Sequence, residues 1–251
     1  MKKILSIGNS FSVDALHYFT EITNAAAMDI MSFNLYIGGC SLQLHTGNLE
    51  SNSPDYICYL NGRETDCKVS IREALRKEQW DIVTIQQASH DSGILDTYEP
   101  YGTELIHCIQ EYVPSAEIWF HQTWAYEHGS DHPLFSRYDC DQQKMYEAIV
   151  VSAEEFTQRH NLPIIPCGSV IQTLRRMPDF DYLNGGRSLC RDSFHMSMSY
   201  GRYAVAATWA ERLLDIDVRN DSFAPAETEL ALMEKVREVV HGCCCDAKAF
   251  C

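Results

Sequence analysis

The sequence predicts an α/β fold, a three-layer α/β/α domain around a mainly parallel sheet of about five strands. Three observations carry this expectation. Short apolar runs alternate with amphipathic stretches of helical period over most of the chain. The 251 residues are 45% hydrophobic and 22% charged, enough apolar material for one sizeable core spanning 1–251. The residues with chemistry to offer follow directly on predicted strands, at carboxyl ends that form one rim in an open sheet.

Residues 2–8 form an apolar run without helical spacing, closed by Gly8, and predict a buried strand that turns sharply into a helix. That turn presents Ser10; the alternative is that Ser10 or Ser12 merely caps the helix. Val13, Leu16, Phe19, Ile22 and Ala26 then recur every three to four residues and predict one helix lying on the sheet. Met31, Phe33, Leu35 and Ile37 alternate with polar neighbours, as a strand does. Gly38-Gly39 ends it, and two glycines allow a turn tight enough for the Gly39 N–H to face an oxyanion, unless they are only a turn. Asn61-Gly62 is a strong hairpin signal after Tyr56–Leu60, and the hairpin is expected to flank the site.

Ser70 opens a short helix, and residues 80–85 are dense enough in apolar side chains for a central parallel strand. Gln86 and Gln87 stand at its carboxyl end. An amide there donates to an oxyanion without carrying charge; Gln86 is favoured, Gln87 points to the opposite face, and capping of a loop is the alternative for both. A helix over Tyr101–Tyr112 precedes a strand over Glu117–His121. Beyond it, Trp124 and Tyr126 suit an apolar wall for a sugar ring or acyl group, or ordinary core. His128, Asp131 and His132 have metal-ligand chemistry but sit in a loop broken by Gly129 and Pro133, with no fixed spacing.

A long helix over 141–160, a strand over 163–166 and a helix over 168–176 come next, then a loop over 177–190 and a helix over Tyr200–Leu214. A last amphipathic helix is expected over about 226–241, with Leu230, Met233, Val236 and Val240 on one face. Such a face docks elsewhere, a second copy of the chain included, which leaves a homo-oligomer open. The loop before the Tyr200 helix carries Asp192-Ser193-Phe194-His195. An aspartate three residues before a histidine can hold the imidazole in one tautomer, and a serine needs such a braced base to become a nucleophile.

Gly8-Asn9-Ser10 and Asp192-x-x-His195 together resemble the first and last blocks of the SGNH hydrolases, the GDSL-type esterases. Asn9 replaces the usual aspartate of the first block. Gly38-Gly39-Cys40 is similar to the second block, while Gln86-Gln87-Ala88-Ser89 stands where the third block has Gly-x-Asn-Asp. Some carbohydrate-esterase relatives use a glutamine in this region, and residues 118–126 are similar to a stretch in an uncharacterised, mainly bacterial subfamily. The resemblance covers about residues 3–214.

It implies a flavodoxin-like sheet, a triad of Ser10, Asp192 and His195, and an oxyanion hole from the backbone N–H groups of Ser10 and Gly39 with the Gln86 amide. Asn9, Gln87, Trp124 and Tyr126 are the expected substrate contacts, and neither a cofactor nor a metal is expected. The expected reaction is hydrolysis of a small acyl ester, acetyl for instance, on a carbohydrate or other alcohol. A non-catalytic carbohydrate binder on a decayed esterase fold, and a metal-dependent hydrolase using His128, Asp131 and His132, are the other two readings.

A formal charge of −15 argues against nucleic acid and anionic membranes and favours neutral or cationic small molecules. After Lys2-Lys3 the apolar run is too short for a secretory leader, and no stretch is apolar enough to span a membrane, so a cytoplasmic protein is expected. The 11 cysteines crowd at Cys243-Cys244-Cys245 and Cys251 without paired spacing, which reads as reduced thiols, with a zinc site as the alternative.

Overall fold

Strand β1 (Lys2–Gly8) runs through the middle of the molecule because residues 4–8 are all buried, with side chains supplied to both faces. Ile4 enters one apolar cluster, and Leu5 and Ile7 enter the other. The computed structural model describes residues 1–249. After β1 the chain forms α1 (Ser10–Leu16) and α2 (Phe19–Ala25) in place of the single helix expected over 13–26. The interruption at His17-Tyr18 lets the Tyr18 hydroxyl donate to the Met198 carbonyl at 2.6 Å.

Strand β2 (Ile30–Tyr36) pairs parallel to β1, and α3 (Leu42–Ser51) follows the glycine turn. The Asn61-Gly62 hairpin forms as expected between β3 (Tyr56–Leu60) and β4 (Arg63–Val69), but it joins the main sheet, β3 running antiparallel to β2. Ser70 starts α4 (Ile71–Lys77) with a complete capping box through Glu73. Strand β5 (Ile82–Ile85), α5 (Tyr101–Tyr112), β6 (Glu117–His121), α6 (Gln142–His160), β7 (Ile164–Ile165), α7 (Cys167–Arg175) and α8 (Tyr200–Leu214) complete the alternation.

The sheet has seven strands rather than about five, in the order β4-β3-β2-β1-β5-β6-β7, because the hairpin extends one edge. The five strands β1, β2, β5, β6 and β7 are parallel. Strand order reverses at β1, so the turn after it lies at the switch point where open sheets bind ligands. One face carries α1, α2, α7 and α8, and the other carries α3, α4 and α5. Helix α6 contributes Met145 and Ile149 to the first cluster and Phe156 to the second.

Helix α9 (Leu230–Ala249) is longer than the expected 226–241. Its Met233, Val236, Val240 and Cys244 are buried against α7 and α8 of the same chain, whereas Leu230 is exposed. Among the described residues no helix is long and apolar enough to cross a membrane. Ten cysteines are free thiols; Cys251 lies outside the described residues.

Candidate active site

The turn after β1 is fixed by Asn9, not by either serine. Its Oδ1 accepts from the Phe11 N–H at 3.0 Å and caps α1, which leaves the Ser10 hydroxyl uncommitted to capping. Ser12 points inward, where its hydroxyl donates to Asn34 Oδ1 at 2.8 Å. Gly8 is required beneath it, since a Cβ there would lie 2.5 Å from Ser12 Oγ and 2.8 Å from Gln86 Oε1.

Asp192 and His195 sit in a loop closed on itself by an antiparallel bridge between Cys190 and Met196 and by the Arg191 N–H donating to the His195 carbonyl. Ser193 takes a φ of 71°, turning the chain sharply enough for Asp192 Oδ1 to accept from the His195 N–H at 2.8 Å. Asp192 Oδ2 then lies 2.7 Å from His195 Nδ1. A carboxylate only accepts, so Nδ1 carries the proton and Nε2 keeps its lone pair. That lone pair faces the Ser10 hydroxyl at 2.8 Å, across 185 positions of sequence.

Partial burial opposes the charge on Asp192. The hydrogen bonds from the His195 ring and backbone and from the Phe194 N–H outweigh it, holding the carboxyl below its usual range.

Side chains that the sequence left unmarked hold the two halves together. Asp14, one turn beyond Ser10 and fully buried, accepts from the Met196 N–H at 2.7 Å, from Arg191 at 2.9 Å and from Arg202 at 2.7 Å. A lone acid among Phe11, Ala15 and Leu16 on a buried helix face is the signal that could have found it. Glu127, itself buried, accepts from the Ser188 hydroxyl at 2.6 Å, and its N–H donates to the Ser193 carbonyl, tying the loop to the segment after β6.

Several expected contacts are structural instead. Asn9 is 1% exposed and donates through Nδ2 to the Cys40 carbonyl at 3.1 Å, so it braces the turn rather than meeting substrate. Gln86 is also 1% exposed; its amide nitrogen donates to Asn9 Oδ1 at 2.8 Å, and its oxygen accepts from His121 Nδ1 at 3.1 Å. Its amide is thus built into a buried network with Asn9 and His121. Gln87 anchors loop backbone, accepting from Leu42 and Ala88 N–H groups and donating to Thr97.

Trp124 and Tyr126 are fully buried and offer no wall to a ligand. Trp124 stacks on Phe11 with ring centroids 4.0 Å apart and donates to the Phe194 carbonyl at 2.7 Å, bridging the neighbours of Ser10 and His195. The Tyr126 hydroxyl lies 2.9 Å from Ser89 Oγ. Gly39 is exposed with a φ of 61°, in a turn closed by the Cys40 N–H donating to the Ile37 carbonyl.

His128 and Asp131 are exposed, and His132 Nδ1 accepts from the Leu134 N–H at 3.2 Å. These three do not converge. Among the described residues, the one group of three side chains with metal-ligand spacing is Glu211, His241 and Cys245, so the zinc alternative at Cys243-Cys244-Cys245 reduces to a single thiol of that run.

Buried Phe11 lies 6.1 Å from the His195 ring on one side, and half-buried rings stand on the other. Phe194 lies 4.2 Å from His195, His132 stands 5.1 Å from Phe194, and His90 stacks on His132 at 6.2 Å. Burial pushes the His90 and His132 pKa values down, so this rim stays uncharged near neutrality.

The family described as Domain of unknown function (DUF4886) matches residues 3–242. No curated protein matches the chain. A DUF4886 family protein from Bacteroides uniformis is 34% identical, with a TM-score of 0.89 over 96% of this chain and 93% of that one. An SGNH-hydrolase candidate from Slackia heliotrinireducens is 17% identical, with a TM-score of 0.57 over 84% of this chain and 98% of its own. An acetylxylan esterase from Geobacillus stearothermophilus is 14% identical, with a TM-score of 0.54 over 84% of this chain and 93% of its own. The fold is the one that SGNH hydrolases share, as the blocks around Ser10 and His195 imply.

Proposed function

Since the chain belongs to the DUF4886 family and has the SGNH-hydrolase fold, we propose that it is a serine esterase cleaving a small acyl ester through an acyl-enzyme on Ser10. One observation carries the reading: the Ser10 hydroxyl, His195 and Asp192 lie in an unbroken hydrogen-bonded line, at 2.8 Å and 2.7 Å. His195 Nε2 takes the Ser10 proton as Oγ attacks the ester carbonyl, and Asp192 stabilises the imidazolium that forms. The proton then passes to the departing alcohol, and a water repeats the sequence to release the acid.

The backbone N–H of Ser10, at the first turn of α1, and that of Gly39 are the proposed oxyanion donors. Gln86 supports this arrangement from behind through Asn9. The uncharged rim of Phe194, His132 and His90 suits a neutral acylated alcohol, and the acetylxylan esterase among the similar structures favours an acetyl group on a sugar. The net charge of −15 favours the same neutral class over anionic esters.

Hydrolysis of p-nitrophenyl acetate by wild type and Ser10→Ala is the test. The variant should lose about three orders of magnitude in rate. Equal rates would favour a binding protein; activity that survives Ser10→Ala yet falls with a chelator would favour a metal-dependent hydrolase.

A further inference from the structure

A second hydrogen-bonded line of side chains lies on the C-terminal helix, outside the Ser10 site. His241 and Cys245 are one turn apart on α9, which brings Cys245 Sγ to 3.5 Å from His241 Nε2. On the other side of the ring, Nδ1 lies 2.6 Å from Oε1 of Glu211, which α8 holds with its side chain 5% exposed. The second Glu211 oxygen accepts from the Val218 N–H at 3.4 Å, so the carboxylate is fixed from two directions. Its acceptor character places the ring proton on Nδ1 and leaves the Nε2 lone pair for the thiol.

Cys245 itself is exposed. Besides Glu211, Asp217 Oδ1 lies 3.7 Å from His241 Nδ1 and pairs with Arg219 at 2.7 Å, and Glu238 of α9 also acts on Arg219. Among the described residues a zinc ion would find at most these three side chains here, one of them engaged with the ring through Nδ1, whereas structural zinc takes four ligands.

We propose that Cys245, His241 and Glu211 form a thiol site that exchanges with small disulfides. In the step, the Cys245 S–H gives its proton to His241 Nε2 while Glu211 holds Nδ1–H. The thiolate attacks one sulfur of a disulfide R–S–S–R, the S–S bond breaks, and Cys245–S–S–R forms. The other half leaves as RS⁻ and takes the proton from His241, so the balance is protein-SH plus RSSR to protein-SSR plus RSH. Such a site couples the outer face of α9 to the thiol–disulfide balance of its surroundings.

The test exposes the full chain to oxidised glutathione at pH 7 and follows each cysteine by tandem mass spectrometry. Cys140 is the internal reference, an exposed thiol with no histidine within hydrogen-bonding reach among the described residues. Cys245 should gain glutathione at least about threefold faster than Cys140. In His241→Ala it should fall to about the Cys140 rate, Cys140 itself being unchanged, and added imidazole should restore part of the difference at Cys245 alone. Equal rates at Cys245 and Cys140 in wild type, or a Cys245 rate indifferent to His241, would overturn the proposal. The wild-type comparison stands whether or not the variant folds.

Discussion

Asn9 shows why this chain departs from the aspartate usual before the nucleophile. Oδ1 accepts twice, from Phe11 and Gln86, and Nδ2 must donate to the Cys40 carbonyl. An aspartate would aim a buried carboxylate oxygen at that carbonyl from about the same distance. Asn9→Asp should therefore cost about 1–3 kcal/mol of stability, read from urea unfolding. A variant as stable as wild type would show that the turn tolerates the charge. The sequence marked Asn9 as part of a motif, but its partners come from β5 and the turn after β2, distant in the chain, and residue identity alone could not assign them. The partners of Gln86 are out of sequence reach for the same reason. An amide suits an oxyanion and a buried network equally well, and only the tertiary neighbours decide.

At the scale of elements, the decisive contact joins α1 to the loop over 191–195 through Asp14. Breaking a buried charge cluster leaves partners unpaired, and here the partner Arg191 adjoins Asp192 while the Met196 N–H adjoins His195. Asp14→Asn should lower kcat on p-nitrophenyl acetate by about tenfold to a hundredfold with little change in KM, as expected for a base displaced by a fraction of an ångström. Wild-type kcat in that variant would refute a positioning role. The strands and helices themselves were largely legible, because burial on both faces of β1 and β5 and the capping box at Ser70 are local patterns. The break between α1 and α2 was not, since the apolar spacing continues through Leu16 and Phe19 and the deciding contact is Tyr18 to Met198. The pairing of the Ser10 turn with the Asp192 loop was legible from chemistry, because each supplies what the other lacks.

For the whole molecule, two fully buried imidazoles set an acid limit. Burial pushes His45 and His121 down to about 3 each. Their folded values lie below the ordinary histidine value of about 6.5, so the unfolded chain takes up protons first as pH falls. Stability from these rings is whole above about pH 6.5 and declines towards pH 3, by roughly 3 kcal/mol per ring at pH 4. The midpoint of thermal unfolding should drop steadily between pH 7 and pH 4. A flat profile over that interval would mean that these rings are not sealed from water.

The 185 positions that separate Ser10 from His195 carry a consequence for synthesis. During synthesis Ser10 emerges from the ribosome 185 positions before His195, so the proposed nucleophile waits for its proposed base until the loop over 191–195 has followed it out. The hydrogen bond between them therefore reports that two segments made far apart in time have come to one place.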